Sequence, residues 1–212
     1  MLVAAIAALT ALNAAGALTR IDQFGVSHMM PWLKPAAGAK HGSAGLYRPF
    51  SWNTNTWSKI LDCWTYPCSV LISALILTAV GVVQWRRGRI VAALVPVAAW
   101  VVGNGIELIG KHVITRPALY GSAYGRPVHV ASFDDSFPSG HMIRGTIVAV
   151  AVVFAWRRAE RWIAAWALLV GPALIFQSAH TPTDVIGGAL VGALLVLVGS
   201  EAIRLFEPSA SP

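Results

Sequence analysis

The chain has 212 residues and a formal charge of +7, with 56% apolar and only 12% charged residues. Soluble domains average about 25% charged residues, so this composition excludes an ordinary water-soluble surface. Excess basic charge can indicate a nucleic-acid partner, but here the arginines lie in short clusters between apolar runs. We therefore expect an integral membrane protein whose basic residues meet lipid headgroups or a phosphate substrate, and no nucleic acid.

The N-terminal run, residues 2–19, is rich in Ala and Leu. Its small residues Ala14, Ala15 and Ala17 would suit a signal peptide, but no basic residue precedes the run, which favours a retained first span. Residues 20–65 are polar and rich in Gly, Pro and Ser. They predict a long loop outside the bilayer, with short helices lying in the membrane interface.

Cys63 lies at the end of this loop, and Cys68 lies at the start of the next predicted span. Their spacing matches no metal-binding pattern, and no metal or other cofactor is expected. A disulfide in an oxidising compartment and two free thiols both remain open.

Apolar runs of about one bilayer thickness predict the remaining spans. The fold class is therefore an all-α polytopic membrane bundle of about six transmembrane helices, with residues 1–212 forming a single membrane domain. The five spans that follow the loop are expected at about 66–85, 90–110, 141–156, 162–178 and 184–206.

Two very short loops between spans carry arginine clusters. Short basic loops remain cytoplasmic, so we expect the loops at 20–65, 111–140 and 178–183 on the outer face of the plasma or inner membrane. The clusters are Arg86, Arg87 and Arg89 in one loop and Arg157, Arg158 and Arg161 in the other.

The first candidate site is the segment Pro-Ser-Gly-His at 138–141, directly before an apolar run. Unpaired backbone N–H groups at a helix N-terminus bind anions. Ser139 and Gly140 would therefore help to hold a phosphate, and His141 in the first turn would meet it. The alternative is an ordinary N-cap at Ser139 beside an interfacial histidine.

The second candidate site is His180 with Asp184, which are one helical turn apart. A carboxylate bonded to one ring nitrogen fixes the tautomer and leaves the other nitrogen basic, which suits a nucleophile or base. Asp184 would otherwise serve as a helix cap.

Two cations, Lys111 and Arg116, follow the third predicted span. Such cations stabilise a transferring phosphoryl group, although interfacial snorkelling is the stronger explanation for either residue taken singly. Glu107, one turn before Lys111, would pair with the lysine.

These three segments, in this order, resemble the type 2 phosphatidic acid phosphatase family, whose relatives include soluble acid phosphatases and vanadium haloperoxidases. The family pattern is Lys-x6-Arg-Pro, then Pro-Ser-Gly-His, then Ser-Arg-x5-His-x3-Asp. The middle motif and the His/Asp half of the third match in full. Only four residues separate Lys111 from Arg116, and Ala173 and Leu174 stand where the family has Ser-Arg. Our hypothesis is that Arg144, three residues after His141, supplies the missing guanidinium; pairing with Asp134, Asp135 or Glu107 is the alternative.

The resemblance implies a lipid-phosphate phosphatase that works through a phosphohistidine. His180 would be the nucleophile, Asp184 would orient it, and His141 would be the general acid and base. Lys111, Arg116, Ser139 and Gly140 would bind the phosphoryl oxygens. Polyprenyl diphosphate is the first substrate expected, followed by phosphatidic acid, phosphatidylglycerol phosphate and a polyprenyl-phosphate-sugar phosphate. A non-catalytic lipid-phosphate binder or transporter, a lipid phosphotransferase and a haloperoxidase are the alternatives.

Overall fold

The computed structural model describes residues 1–30, 33–35, 46–47, 56–123 and 126–207. Helices dominate these ranges, as the sequence predicted, and two short antiparallel hairpins accompany them. The helices are α1 Leu2–Ala14, α2 Thr19–His28, α3 Thr56–Thr65, α4 Val70–Arg86, α5 Ile90–Val113, α6 Gly140–Ala155, α7 Glu160–Phe176 and α8 Pro182–Phe206. In the hairpins, β1 Lys34–Pro35 pairs with β2 Leu46–Tyr47, and β3 Tyr120–Ala123 pairs with β4 Arg126–His129.

Three helical segments are long and apolar enough to cross a bilayer: α5, Arg157–Phe176 and α8. Two bent helix pairs raise that number to five if each pair is one span, and α6 is a shorter apolar helix. The helical membrane fold is therefore confirmed, and the total of six spans remains a prediction.

The N-terminal region differs from the prediction of one straight span over residues 2–19. α1 has 13 residues and rises only about 20 Å, less than the roughly 30 Å of a hydrocarbon core. It bends by 74° into α2, which occupies the start of the predicted loop. α2 is helical there because Asp22, Gly25 and Val26 form one face that packs against the protein.

α3 likewise makes the end of the predicted loop helical, and it leads through a 3₁₀ turn at Tyr66–Cys68 into α4. The interfacial position predicted for such helices is untested. Residues 31–32, 36–45 and 48–55 of this loop lie outside the described part of the chain.

α6 lies at the centre of the bundle, in contact with α4, α5, α7 and α8. Its buried Ile143 and Ile147 share an apolar core with Leu77 and Val80 of α4 and Val191 of α8. Small residues let α6 and α8 approach closely, as in other membrane helix pairs. A Cβ at Gly188 would lie 2.4 Å from the Ser139 carbonyl oxygen, and one at Gly192 would lie 2.7 Å from Thr146 Cβ.

The two arginine-rich loops lie at the same end of the bundle. Arg87 Nη1 donates to the Ala155 carbonyl oxygen over 2.9 Å and so links the α4–α5 turn to the end of α6. α6 begins at the opposite end, where the predicted site residues lie. The structure thus separates the basic end from the site end.

At the site end, a second apolar cluster joins α2, the β3–β4 region and the last turn of α7. Its buried members are Val26, Met30, Leu119, Val130, Phe133 and Ile175. This cluster sets the position of the loops on which the site residues lie.

Candidate active site

The two histidine segments meet at the start of α6. The backbone N–H of Ser139 donates to the Asp184 carbonyl oxygen over 3.0 Å, which ties the first segment directly to α8. Ser139 also caps α6, since its Oγ accepts from the Met142 N–H. The rings of His141 and His180 consequently lie close together, with their centroids 5.7 Å apart and their planes tilted by 59°.

His180 lies in a short link whose ends are both held by backbone hydrogen bonds. α7 ends with the Ser178 N–H donating to the Ile175 carbonyl and the Ala179 N–H to the Leu174 carbonyl. This is a Schellman arrangement, and Ser178 occupies its left-handed position at φ 58. α8 then begins with a capping box between Thr181 and Asp184.

Asp184 is fully buried and lies behind His180. Its Oδ2 is 3.6 Å from His180 Nδ1 and accepts hydrogen bonds from Ser136 Oγ at 2.6 Å and from the Thr181 N–H at 2.9 Å. Asp184 is therefore both helix cap and histidine partner, the two roles that the sequence had set against each other. His180 Nδ1 is buried without a hydrogen bond among the described residues and faces this carboxylate, and Nε2 lies on the other side of the ring.

Arg116 turns inward beneath Asp184, with only 2% of its side chain exposed. Its Nη1 lies 3.1 Å from a carboxylate oxygen of Asp22 and 3.1 Å from one of Asp184. We call this group the Arg116 cluster: Arg116, Asp22, Asp184, Thr181 and Ser136. Because Nε also donates to the Phe133 carbonyl, the guanidinium of Arg116 is paired within the protein, and its predicted phosphate contact remains a prediction.

The other predicted cations meet on a single carboxylate, that of Glu107. Lys111 Nζ lies 2.6 Å from Oε1, which confirms the predicted pair, and Arg144 Nη1 lies 2.6 Å from Oε2. Arg144 Nη1 also donates to Asn104 Oδ1 over 2.8 Å. We call these four residues the Glu107 cluster. It adjoins the histidines, since a Cβ at Gly140 would lie 1.8 Å from Glu107 Oε2.

Arg144 thus has the Glu107 partner that was the alternative to a phosphate contact. Its side chain is 3% exposed, and Nε donates to the Cys68 carbonyl over 2.8 Å. Cys68 is a buried free thiol and Cys63 an exposed one, so the structure has no disulfide between them.

The chain also matches a known protein family. The model of the PAP2 superfamily matches residues 43–205. The chain belongs to the PAP2 superfamily. This confirms the family that the three motifs predicted.

Two known proteins show how this PAP2 chain compares with relatives. It is 28% identical to the undecaprenyl-diphosphatase BcrC of Bacillus subtilis strain 168 over 143 residues, which cover 66% of this chain and 72% of that protein. Its fold matches the crystal structure of a transmembrane PAP2-type phosphatidylglycerolphosphate phosphatase from Bacillus subtilis with a TM-score of 0.66. That match covers 99% of this chain and 97% of the other, at 16% identity.

Sequence reasoning missed three residues of this PAP2 site: Asp22, Ser136 and Asn104. No sequence feature identified Asp22 as a site residue, because it lies in a polar stretch that predicts a loop. Asn104 could have been identified, because it lies in an apolar span one turn before Glu107, and polar residues within spans mark functional sites. The positions of the family Ser-Arg, Ala173 and Leu174, are both buried in the structure.

Proposed function

We propose that this PAP2 protein is a membrane phosphatase that hydrolyses a phosphomonoester or a diphosphate of a lipid. One observation carries the proposal: two histidine rings lie 5.7 Å apart, and a buried carboxylate lies 3.6 Å behind one of them. A nucleophile and an acid this close together suit the displacement of a leaving group from phosphorus.

In the first step, His180 Nε2 attacks phosphorus and forms a P–N bond. The P–O bond to the lipid breaks at the same time, and protonated His141 gives its proton to the leaving oxygen. Asp184 holds the ring of His180 and stabilises the positive charge that develops on it, as carboxylates do for other catalytic histidines.

In the second step, neutral His141 takes a proton from a water molecule. The resulting hydroxide attacks phosphorus, the P–N bond breaks, and phosphate leaves. Both histidines return to their starting protonation states, so the cycle consumes only water.

The phosphoryl oxygens are held by residues around the start of α6. Ser139 and the Gly140 backbone supply short polar contacts, and Lys111 and Arg144 supply positive charge. Arg144 takes the role of the family arginine, whose position is occupied here by Leu174. Arg116 acts one layer below, by holding Asp184.

Polyprenyl diphosphate is the first substrate we propose, and the 28% identity to an undecaprenyl-diphosphatase supports it. Phosphatidic acid, phosphatidylglycerol phosphate and a polyprenyl-phosphate-sugar phosphate follow. The test is a panel of these lipids in detergent with released phosphate as the readout. Replacing His180 with Ala should lower turnover by about 10³-fold, the scale of lost acid–base or nucleophilic catalysis.

His28→Ala is the matched control, because His28 is exposed and lies outside the site. Unchanged turnover in His180→Ala would overturn the proposal. Labelled phosphate trapped on the wild-type protein, and absent from His180→Ala, would identify the phosphohistidine.

We place the site at the outer membrane face, because the basic loops lie at the opposite end of the bundle. Cys63 is exposed and lies in the last turns of α3, which leads into α4 at the site end of the bundle, where Cys68 meets Arg144. A membrane-impermeant maleimide should therefore label Cys63 in intact cells. Labelling only after lysis would reverse the orientation.

A non-catalytic lipid-phosphate binder is the second candidate, favoured by the loss of the family arginine at Leu174. Binding of lipid phosphates without release of phosphate would identify it. Transfer of the phosphoryl group to an added lipid alcohol instead of water would identify a phosphotransferase.

A further inference from the structure

Glu107 lies where the cations near His141 converge. Each of its carboxylate oxygens is 2.6 Å from one cation, Lys111 on one side and Arg144 on the other. The same carboxylate lies against the first residue of α6, since Oε2 is 1.8 Å from the position of a Cβ at Gly140. This is the N-terminal end of a helix, where backbone dipoles favour an anion.

The surroundings of Glu107 therefore have the chemistry of a phosphate site, and a carboxylate fills it. Arg116, the third predicted phosphate ligand, is held by Asp22 and Asp184. An incoming phosphoryl group thus finds Lys111 and Arg144 already paired with an anion. It must either share them with Glu107, at the cost of repulsion between like charges, or take its place.

We propose that Glu107 is an internal anion that occupies the phosphate position of the empty site and is displaced by the substrate. The inference rests on the proposed function. A terminal phosphoryl group has three free oxygens and close to two negative charges, so it binds the two cations better than a carboxylate does. Glu107 returns when the phosphate leaves and thereby assists release of the product.

Displacement also makes Glu107 a specificity determinant. The phosphodiester of an ordinary phospholipid has one negative charge and two free oxygens, as a carboxylate has. Such a headgroup gains nothing by replacing Glu107. The carboxylate therefore selects terminal phosphoryl groups over the phosphodiesters that surround the protein in a membrane.

The alternative is that Glu107 is a fixed support that holds Lys111 and Arg144 in place. The two roles predict opposite changes in phosphate affinity when the carboxylate is altered. Glu107→Gln keeps the shape and removes the charge. Glu107→Asp keeps a counterion for Arg144 but withdraws it by one methylene.

The experiment is calorimetric titration of the full chain in detergent with inorganic phosphate, and in a second arm with dimethyl phosphate. If the substrate displaces Glu107, the Glu107→Gln variant should bind phosphate about tenfold more tightly than wild type, because the competing negative charge is gone. Glu107→Asp should show a smaller gain, and dimethyl phosphate should bind measurably only to the variants. Glu201→Gln is the control, because Glu201 is exposed on α8.

Weaker or unchanged phosphate binding in both folded variants would overturn the inference. So would failure of both to elute as folded monodisperse protein, since Glu107 would then be a structural support. If the wild type hydrolyses lipid phosphates but the variants bind phosphate more weakly, the proposed phosphatase stands and only this inference fails. If the variants bind phosphate more tightly but the wild type hydrolyses no lipid phosphate, the proposed phosphatase fails and the displacement of Glu107 stands.

Discussion

The two ion clusters of the site have opposite formal charges. The Arg116 cluster has two carboxylates, Asp22 and Asp184, around one arginine, which sums to one negative charge. The Glu107 cluster has one carboxylate between Lys111 and Arg144, which sums to one positive charge. The negative cluster lies behind His180, and the positive cluster lies beside Gly140.

This difference corresponds to the charges that the proposed reaction develops. A phosphohistidine on His180 is positive at its ring and is stabilised by the negative cluster. The phosphoryl oxygens are negative and are attracted by the positive cluster. The clusters also differ in access. The charged side chains of the Arg116 cluster are at most 2% exposed, and Arg144 in the Glu107 cluster is 3% exposed, but Lys111 is 31% exposed. An incoming anion can therefore reach the Glu107 cluster through Lys111.

Asp22→Asn should have the largest effect on stability, because it makes the Arg116 cluster formally neutral. Asp22 accepts from both the backbone N–H and the hydroxyl of Thr183, besides its pairing with Arg116. Weakening a buried pair of this kind should cost about 2–3 kcal/mol and lower the thermal midpoint in detergent by about 5–10 °C. The proposed phosphatase should lose turnover with little change in KM.

Asp135→Asn is the control for that change, because Asp135 is an exposed aspartate near the same end of the bundle. A midpoint for Asp22→Asn equal to that of wild type would mean that the negative cluster is not a support.

Arg144→Ala should have the next largest effect, because it makes the Glu107 cluster formally neutral. Loss of a charged phosphate contact of the kind we propose should raise KM by about 10–100-fold, an effect of roughly 1.4–2.7 kcal/mol. Arg144→Lys should recover part of this loss, since lysine keeps the charge but not the forked geometry. Kinetics on the most active lipid of the panel would measure both.

Arg158→Ala is the matched control for Arg144, since Arg158 is exposed in the basic loop at the opposite end. Normal turnover and KM in Arg144→Ala would remove this residue from the phosphate site.

Ser178→Gly should have the smallest effect, because it alters neither cluster. Ser178 is in the left-handed region at φ 58, and its buried hydroxyl has no hydrogen-bond partner among the described residues. Glycine removes both costs, so we expect about 1 kcal/mol of added stability, or about 2–4 °C in the thermal midpoint. Activity should stay unchanged.

The same substitution at Ser200, inside α8, should instead lower the midpoint, because glycine is unfavourable within a helix. A fall in activity in Ser178→Gly would show that this turn positions His180 more sensitively than its hydrogen bonds suggest.

Several helices were predictable because apolar runs and their polar ends determine them locally. α5 begins at Ile90 and α8 at Pro182, within two residues of the predicted starts at 90 and 184. The bend between α1 and α2 was not predictable in this way. It depends on a buried face of α2 whose partners lie far along the chain, such as Arg116, which is 94 residues from Asp22.

The sequence by itself determined the family, the helical membrane fold and the identity of the two histidine segments, because apolar runs and short motifs are local patterns. It also predicted the pair of Glu107 and Lys111, which are one helical turn apart. Only the tertiary structure decided which anion each arginine meets. The sequence left the phosphate-binding roles of Arg116 and Arg144 open, and packing placed one beneath Asp184 and the other on Glu107. Such choices depend on which buried charges come within a few ångströms of each other, and this distance is settled only when the helices pack.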